Sequence, residues 1–135
     1  MDLISEWFDN LKSESETVWK KSITVVGVCN THTGPSFRYA SITLVFSPSN
    51  QFMIEEELSV DISKLIHDRD WYRSIIFGVF DVMLTIPMLP IRNFRITITN
   101  IDYSEIESTQ IAFRLAARDA ARKALREHFP NIRLT

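Results

Sequence analysis

The sequence predicts an α+β domain, a two-layer sandwich in which a four-stranded, mainly antiparallel sheet carries helices on one face. Three observations predict it. The first half of the chain holds three segments rich in β-branched or alternating apolar residues, separated by short turn-rich stretches. A fourth such segment falls late, between two stretches whose apolar residues recur at helical spacing. The last of those stretches is lined with alanine, which lets a helix lie close to a sheet. The core order is β-β-β-α-β-α, preceded by an N-terminal helix.

Taken in order, Asp2 caps a short helix whose Leu3, Ile4, Trp7, Phe8 and Leu11 share one face. A polar connector follows, so residues 1–17 form a helix and connector, the helix packing on the domain's own core or on another copy, and residues 18–135 form one domain. Val18 to Asn30 is the first strand, rich in β-branched residues. Asn30 to Ser36 is a turn-rich loop. Phe37 to Ser47 is the second strand, with Ala40, Ile42, Leu44 and Phe46 on one face. Ser47 to Asn50 is a turn with Pro48 where a type I turn favours it. Gln51 to Val60 is the third strand, and the three consecutive strands are expected to form an antiparallel meander. Its alternation sends Glu56 toward the Phe52 and Ile54 face, and the acidic run Glu55 to Glu57 suits a guarded edge strand.

A helical region starts at Asp61 to Lys64, with a stronger start at Asp68 to Asp70. Trp71, Tyr72, Ile75, Ile76, Val79, Phe80 and Met83 trace its apolar face. Gly78 in mid-helix costs about 1 kcal/mol against Ala and marks close backbone packing. Pro87 and Pro90 end the helix. Ile91 to Thr99 is the fourth strand. The last helix is capped by Ser108 or Ser104; Phe113, Ala116, Ala117, Ala120, Ala121 and Ala124 gather on one side, and Arg114, Arg118, Arg122 and Arg126 wind along the other.

Composition narrows the function classes. Hydrophobic residues make up 45% and charged residues 24% of 135, which suits one globular domain and not a disordered chain. A net charge of -2 argues against nucleic-acid binding by bulk positive charge and leaves room for a local basic face. One cysteine, Cys29, excludes an internal disulfide and fits a reducing compartment; a cytoplasmic location is expected. The apolar stretch Ile75 to Ile91 is too interrupted for a bilayer span, which needs ~20 apolar residues, so no membrane partner is expected. The N-terminus lacks the basic and apolar regions of a signal peptide.

The order of elements and the residues themselves resemble domain IV of elongation factor G. The family opens its last helix with Ser-Ser-Glu-x-Ala-Phe-x-x-Ala; here the run is Ser108-Thr109-Gln110-Ile111-Ala112-Phe113-Arg114-Leu115-Ala116. Ile106-Glu107 stands where the family has a valine-acid pair, and Phe37-Arg38-Tyr39-Ala40 where it has Gly-Gln-Tyr-Gly. Pro48 follows the second strand, and a helix around Gly78 matches the family's tyrosine-bearing helix with a central glycine. The resemblance covers Ser22 to Glu127. It implies the ribosomal protein S5 domain 2-like fold with a left-handed βαβ crossover. It also implies two tip loops of the kind that reach the ribosomal decoding centre, here Asn30 to Ser36 and Asn100 to Glu107. This sequence departs from the family in both: the first loop keeps only Gly34 of a Gly-Gly-Arg-Gly pattern, and the family's tip histidine falls on Ser104. No GxxxxGK[ST] phosphate loop occurs, so the expectation is a freestanding relative without the GTPase, binding no nucleotide and needing no cofactor.

The residues expected to contact RNA, the ribosome or another partner are Asn30, His32, Arg38, Asp102, Ser104, Arg114, Arg118, Arg122 and Arg126. The arginine stripe either tracks phosphates or forms a solvated helix face, and the second reading is the more economical. Cys29-x-x-His32 is half a metal site without a second half. No acid, base or phosphate-loop arrangement marks an enzyme. Two functions fit: a translation-factor-like module contacting ribosome or RNA, or a protein-interaction module that pairs with a partner or a second copy through Trp7 and Phe8.

Overall fold

Among the described residues, four strands form the sheet. β1 spans Ile23–Thr33, β2 Ser36–Pro48, β3 Met53–Glu56 and β4 Phe94–Tyr103. The computed structural model describes residues 19–33, 36–85 and 91–130. The expected N-terminal helix, with Trp7 and Phe8, lies outside the described residues. The sheet order is β1-β2-β4-β3. β1 and β4 each run antiparallel to β2, whereas β3 runs parallel to β4, with Met53 opposite Arg95 and Glu56 opposite Ile98. The sheet is therefore mixed, and the expected meander is corrected. The second strand turns away at Pro48, and β4 takes the place beside it. β3 also shrinks from the expected ten residues to four. Beyond Glu56 the Glu57 N–H still bonds to Ile98 O at 2.9 Å before Ser59 starts a helix.

Alternation sorts the sheet into two faces. Ile23, Val25 and Cys29 of β1, Ala40, Ile42, Leu44 and Phe46 of β2, and Phe94, Ile96 and Ile98 of β4 are buried. On the other face Val26 and Val28 are 47% and 39% exposed. β4 carries a bulge: Ile98 faces Leu44 while Asn100 faces Thr43, leaving Thr99 as the extra residue. The bulge turns Ile101 back into the core, and the strand runs four residues past its expected end.

Among the described residues, three helices cover the buried face. α1 is Val60–Asp68, α2 Trp71–Met83 and α3 Gln110–His128. Ser59 caps α1 by accepting from the Ile62 N–H at 3.3 Å. The link between α1 and α2 is Arg69–Asp70, with Asp70 left-handed at φ 60°, a conformation aspartate tolerates better than most residues. α3 is capped by Thr109, whose Oγ1 accepts from the Ala112 N–H at 3.1 Å; the expected serines are engaged elsewhere.

Two glycines set how closely α3 is held. A Cβ at Gly27 of β1 would lie 2.1 Å from the Ala116 carbonyl oxygen and 2.7 Å from Ala120 Cβ. A Cβ at Gly78 of α2 would lie 2.3 Å from the Arg114 carbonyl oxygen and 2.6 Å from Ala117 Cβ. The alanine face of α3 is thus wedged between a strand and a helix at backbone contact, which only residues without side-chain bulk permit. No helix among the described residues is long and apolar enough to cross a membrane.

Candidate functional site

The antiparallel pairing of β1 and β2 continues to Thr33 opposite Ser36, whereas β4 stops at Tyr103 opposite Ala40. Asn30–Thr33 and Ser36–Tyr39 therefore project past the sheet as a two-stranded ribbon. Four residue pairs at about 3.3 Å each extend it by about 13 Å. The expected loop from Asn30 to Ser36 is mostly strand; only residues 34 and 35, outside the described residues, lie between its arms. Asn30 and Arg38 are exposed on this ribbon. His32 lies in β1, and its side chain falls outside the described part of the structure.

The segment before α3 sits at the foot of the ribbon. The Tyr39 N–H donates to Glu107 O at 3.2 Å, and the Ser108 hydroxyl donates to Tyr39 O at 2.7 Å. Tyr39 and Asp102, on neighbouring strands, share a hydrogen bond from the phenol to the carboxylate. That bond is the main cause holding the Tyr39 phenol above its usual range. Arg69, between α1 and α2, reaches the same loop: its guanidinium pairs with Glu105 at 3.1 Å and lies 5.2 Å from the Trp71 ring centroid. Trp71 in turn stacks on Phe113 at 4.5 Å and meets Tyr103 at 5.7 Å. The structure thus brings Asn30, Arg38, Asp102 and Ser104 to one pole. Sequence reading missed Tyr39, Arg69 and Ser108 as the groups that tie this pole together. The pairing of Ser108 with Tyr39 spans 69 positions, and no local pattern signals it.

The arginine stripe divides. Arg114 holds Asp81 of α2 with two bonds, Nε at 2.7 Å and a terminal nitrogen at 2.8 Å, and Arg118 Nε meets the same carboxylate at 2.7 Å. The hydrogen bond from Arg114, helped by Arg118, keeps the Asp81 carboxyl below its usual range. These two arginines join helices. Arg122 and Arg126 have no ion pair among the described residues. Lys123 is also engaged: with Asp119 at 2.9 Å it lies over β1, donating to Val26 O at 2.8 Å while Asp119 accepts from the Val28 N–H at 3.0 Å.

Other reactive groups have structural partners. Burial pushes the Cys29 thiol up, away from the reactive thiolate. Glu56 does point to the helix side, as its alternation requires; it accepts from Ser63 at 3.1 Å and meets His67 Nε2 at 3.0 Å. The serine and the histidine each face the carboxylate, so neither activates the other. Among the described residues no three His, Cys, Asp or Glu side chains are grouped to hold a metal ion.

A two-layer α+β domain whose hairpin and pre-helix loop meet at one end of its sheet is the class of protein that the fold defines. The description "Elongation factor G, domain IV" matches residues 13–128, and the chain belongs to that family. Among solved structures it is similar to the crystal structure of ttk003000868 from Thermus thermophilus. That likeness has a TM-score of 0.68 and 21% identity over 78% of this chain. The chain spans only 16% of that longer one. No curated protein sequence matches it.

Proposed function

We propose that this domain is a non-catalytic, translation-factor-like module that contacts ribosomal RNA through the projecting hairpin. Residues 18–135 form the working unit. The observation that carries the reading is the ribbon itself, standing past β4 with the pre-α3 loop tied to its foot by Tyr39 and Ser108. Arg38 on the ribbon supplies a cation for phosphate. On α3, Arg122 and Arg126 are the stripe residues left to face a nucleic acid once Asp81 has engaged Arg114 and Arg118.

The test is co-sedimentation of the full chain with ribosomes across about 50 to 200 mM salt. Binding should fall steeply with salt, and Arg38→Ala should lower the slope of log affinity against log salt by about 1. An unchanged slope would remove the hairpin from the contact, and no binding at the low-salt end would remove the reading itself.

A further inference from the structure

Among the described residues the sheet has helices on one side only. On its other side, from Thr24 to Val28 of β1, from Ser41 to Ser47 of β2 and at Thr97 of β4, every outward residue is valine, threonine or serine. Val26 and Val28 are exposed, and Val45 is half-buried between Thr24 and Thr97. Charge stands at the margins, with Arg95 3.9 Å from Glu55 at one end and Asp102 at the other. In a chain with 24% charged residues, an uncharged area three strands wide marks a contact surface.

A segment of the same chain suits it. Residues 1–12 lie ahead of the family-matched span of 13–128, so the family fold does not account for their apolar residues. Leu3, Ile4, Trp7, Phe8 and Leu11 share one helical face, and Asp2, Glu6 and Asp9 fall outside it. A ten-residue helix is about 15 Å long and three strands are about 14 Å across, so the two surfaces match in size. The described fold begins at Trp19, which packs on Phe46 and Phe94 at the end of the sheet where Ser47 faces Arg95. Residues 13–18 can span about 20 Å, twice the ~10 Å between packed layers, so the stripe can reach the helix-free face. Arg95, with the exposed Lys20 and Lys21, stands at that same end and complements the three carboxylates. A second copy offers an identical stripe. A segment tethered by six residues, however, acts at about millimolar effective concentration, which separate chains do not match at micromolar protein.

We infer that residues 2–12 lie as a helix across the helix-free face of their own sheet, with Trp7 and Phe8 over Val26, Val28 and Val45. The sandwich then has a third layer, and its sheet is covered on both sides. The hairpin projects beyond the covered area, so the inference stands apart from the RNA reading.

The test uses the full chain with a benzophenone side chain in place of Phe8, irradiated at micromolar concentration and mapped by peptide mass. The expected adduct lies within one chain, on residues 24–28 or 41–47. The same chain carrying Val26→Lys and Val28→Lys, both at exposed positions and checked for a cooperative urea melt, should lose that adduct. Iodide quenching of Trp7, taken as the difference between the native chain and Trp7→Phe, should show a shielded ring that the two lysines expose. An adduct joining two chains, an adduct on a helix, no adduct, or a Trp7 as open to iodide without the lysines as with them would each overturn the inference.

Discussion

His128 ends α3 with its ring buried, 4.3 Å from the Trp19 ring and 4.1 Å from Phe129. Its Nε2 accepts from the Lys20 N–H at 2.8 Å, so the ring is needed in its neutral form. Burial, with Lys21 and Lys20 nearby, lowers its pKa below the ordinary 6.5. The sign follows from proton counting. Between the lowered folded value and 6.5 the unfolded chain binds more protons, so stability rises with pH across that window and is lost as pH falls below about 6.5. Denaturant melts from pH 7 to 5 should show this decline in the native chain and a flatter profile in His128→Gln. Asp81 acts in a separate window. Held low by Arg114, its carboxylate stabilises the fold above the ordinary 3.8, and that stability is lost only in more acid solution. Sequence reading saw four arginines at regular spacing as one stripe. It could not see that Asp81, 33 positions before Arg114, claims two of them, because spacing along a helix says nothing about what the neighbouring helix presents.

At the scale of elements, the contact between α2 and α3 was legible from one residue. Gly78 stood inside an apolar helical pattern, where its propensity cost needs a packing reason, and the Arg114 carbonyl at 2.3 Å supplies it. Gly27 is the same device on the strand side, but its segment showed only a β-branched run and gave no comparable signal. Two effects compete in Gly78→Ala: better helix propensity favours it by about 1 kcal/mol, while a methyl driven into backbone costs at the upper end of roughly 1–3 kcal/mol. The clash wins because the nearest atom is a carbonyl of a packed helix and cannot swing aside. Gly78→Ala and Gly27→Ala should each lower the urea midpoint at unchanged m-value, and Gly27→Ala should do so more, having no helical gain to set against its 2.1 Å contact. The expected caps of α3, Ser108 or Ser104, give way to Thr109 for a physical reason. Ser108 is a good cap by type, but its hydroxyl donates to Tyr39 O and already accepts from the Ser104 N–H, and Thr109 is the next residue able to accept from an N–H of the first turn.

Across the whole molecule the strand segments and the buried face of the sheet could be read from alternation, while strand order could not. Period two tells which residues face a core and nothing about which strand lies beside which, so the parallel pairing of β3 with β4 could come only from the family resemblance, whose βαβ crossover implies it. The two outer strands are protected differently. β3 carries Glu55 and Glu56, whereas β1 has its free Val26 and Val28 backbone groups covered by Lys123 and Asp119. Replacing both with alanine should cost no more than about 1 kcal/mol of stability yet raise the apparent mass in concentration-dependent light scattering, as the bared edge pairs with another chain. An unchanged mass would show that the helix backbone alone shields the strand. The placing of β4 between β2 and β3 also has a consequence for how the protein is made. A ribosome delivers the chain from its N-terminus, so β2 and β3 emerge well before the strand that must separate them. Until residues 94–103 have left the exit tunnel, the β1–β2 hairpin waits with one bonding edge open and β3 has no neighbour to register against. The sheet is therefore completed late in synthesis, by insertion of a strand and not by growth from one side.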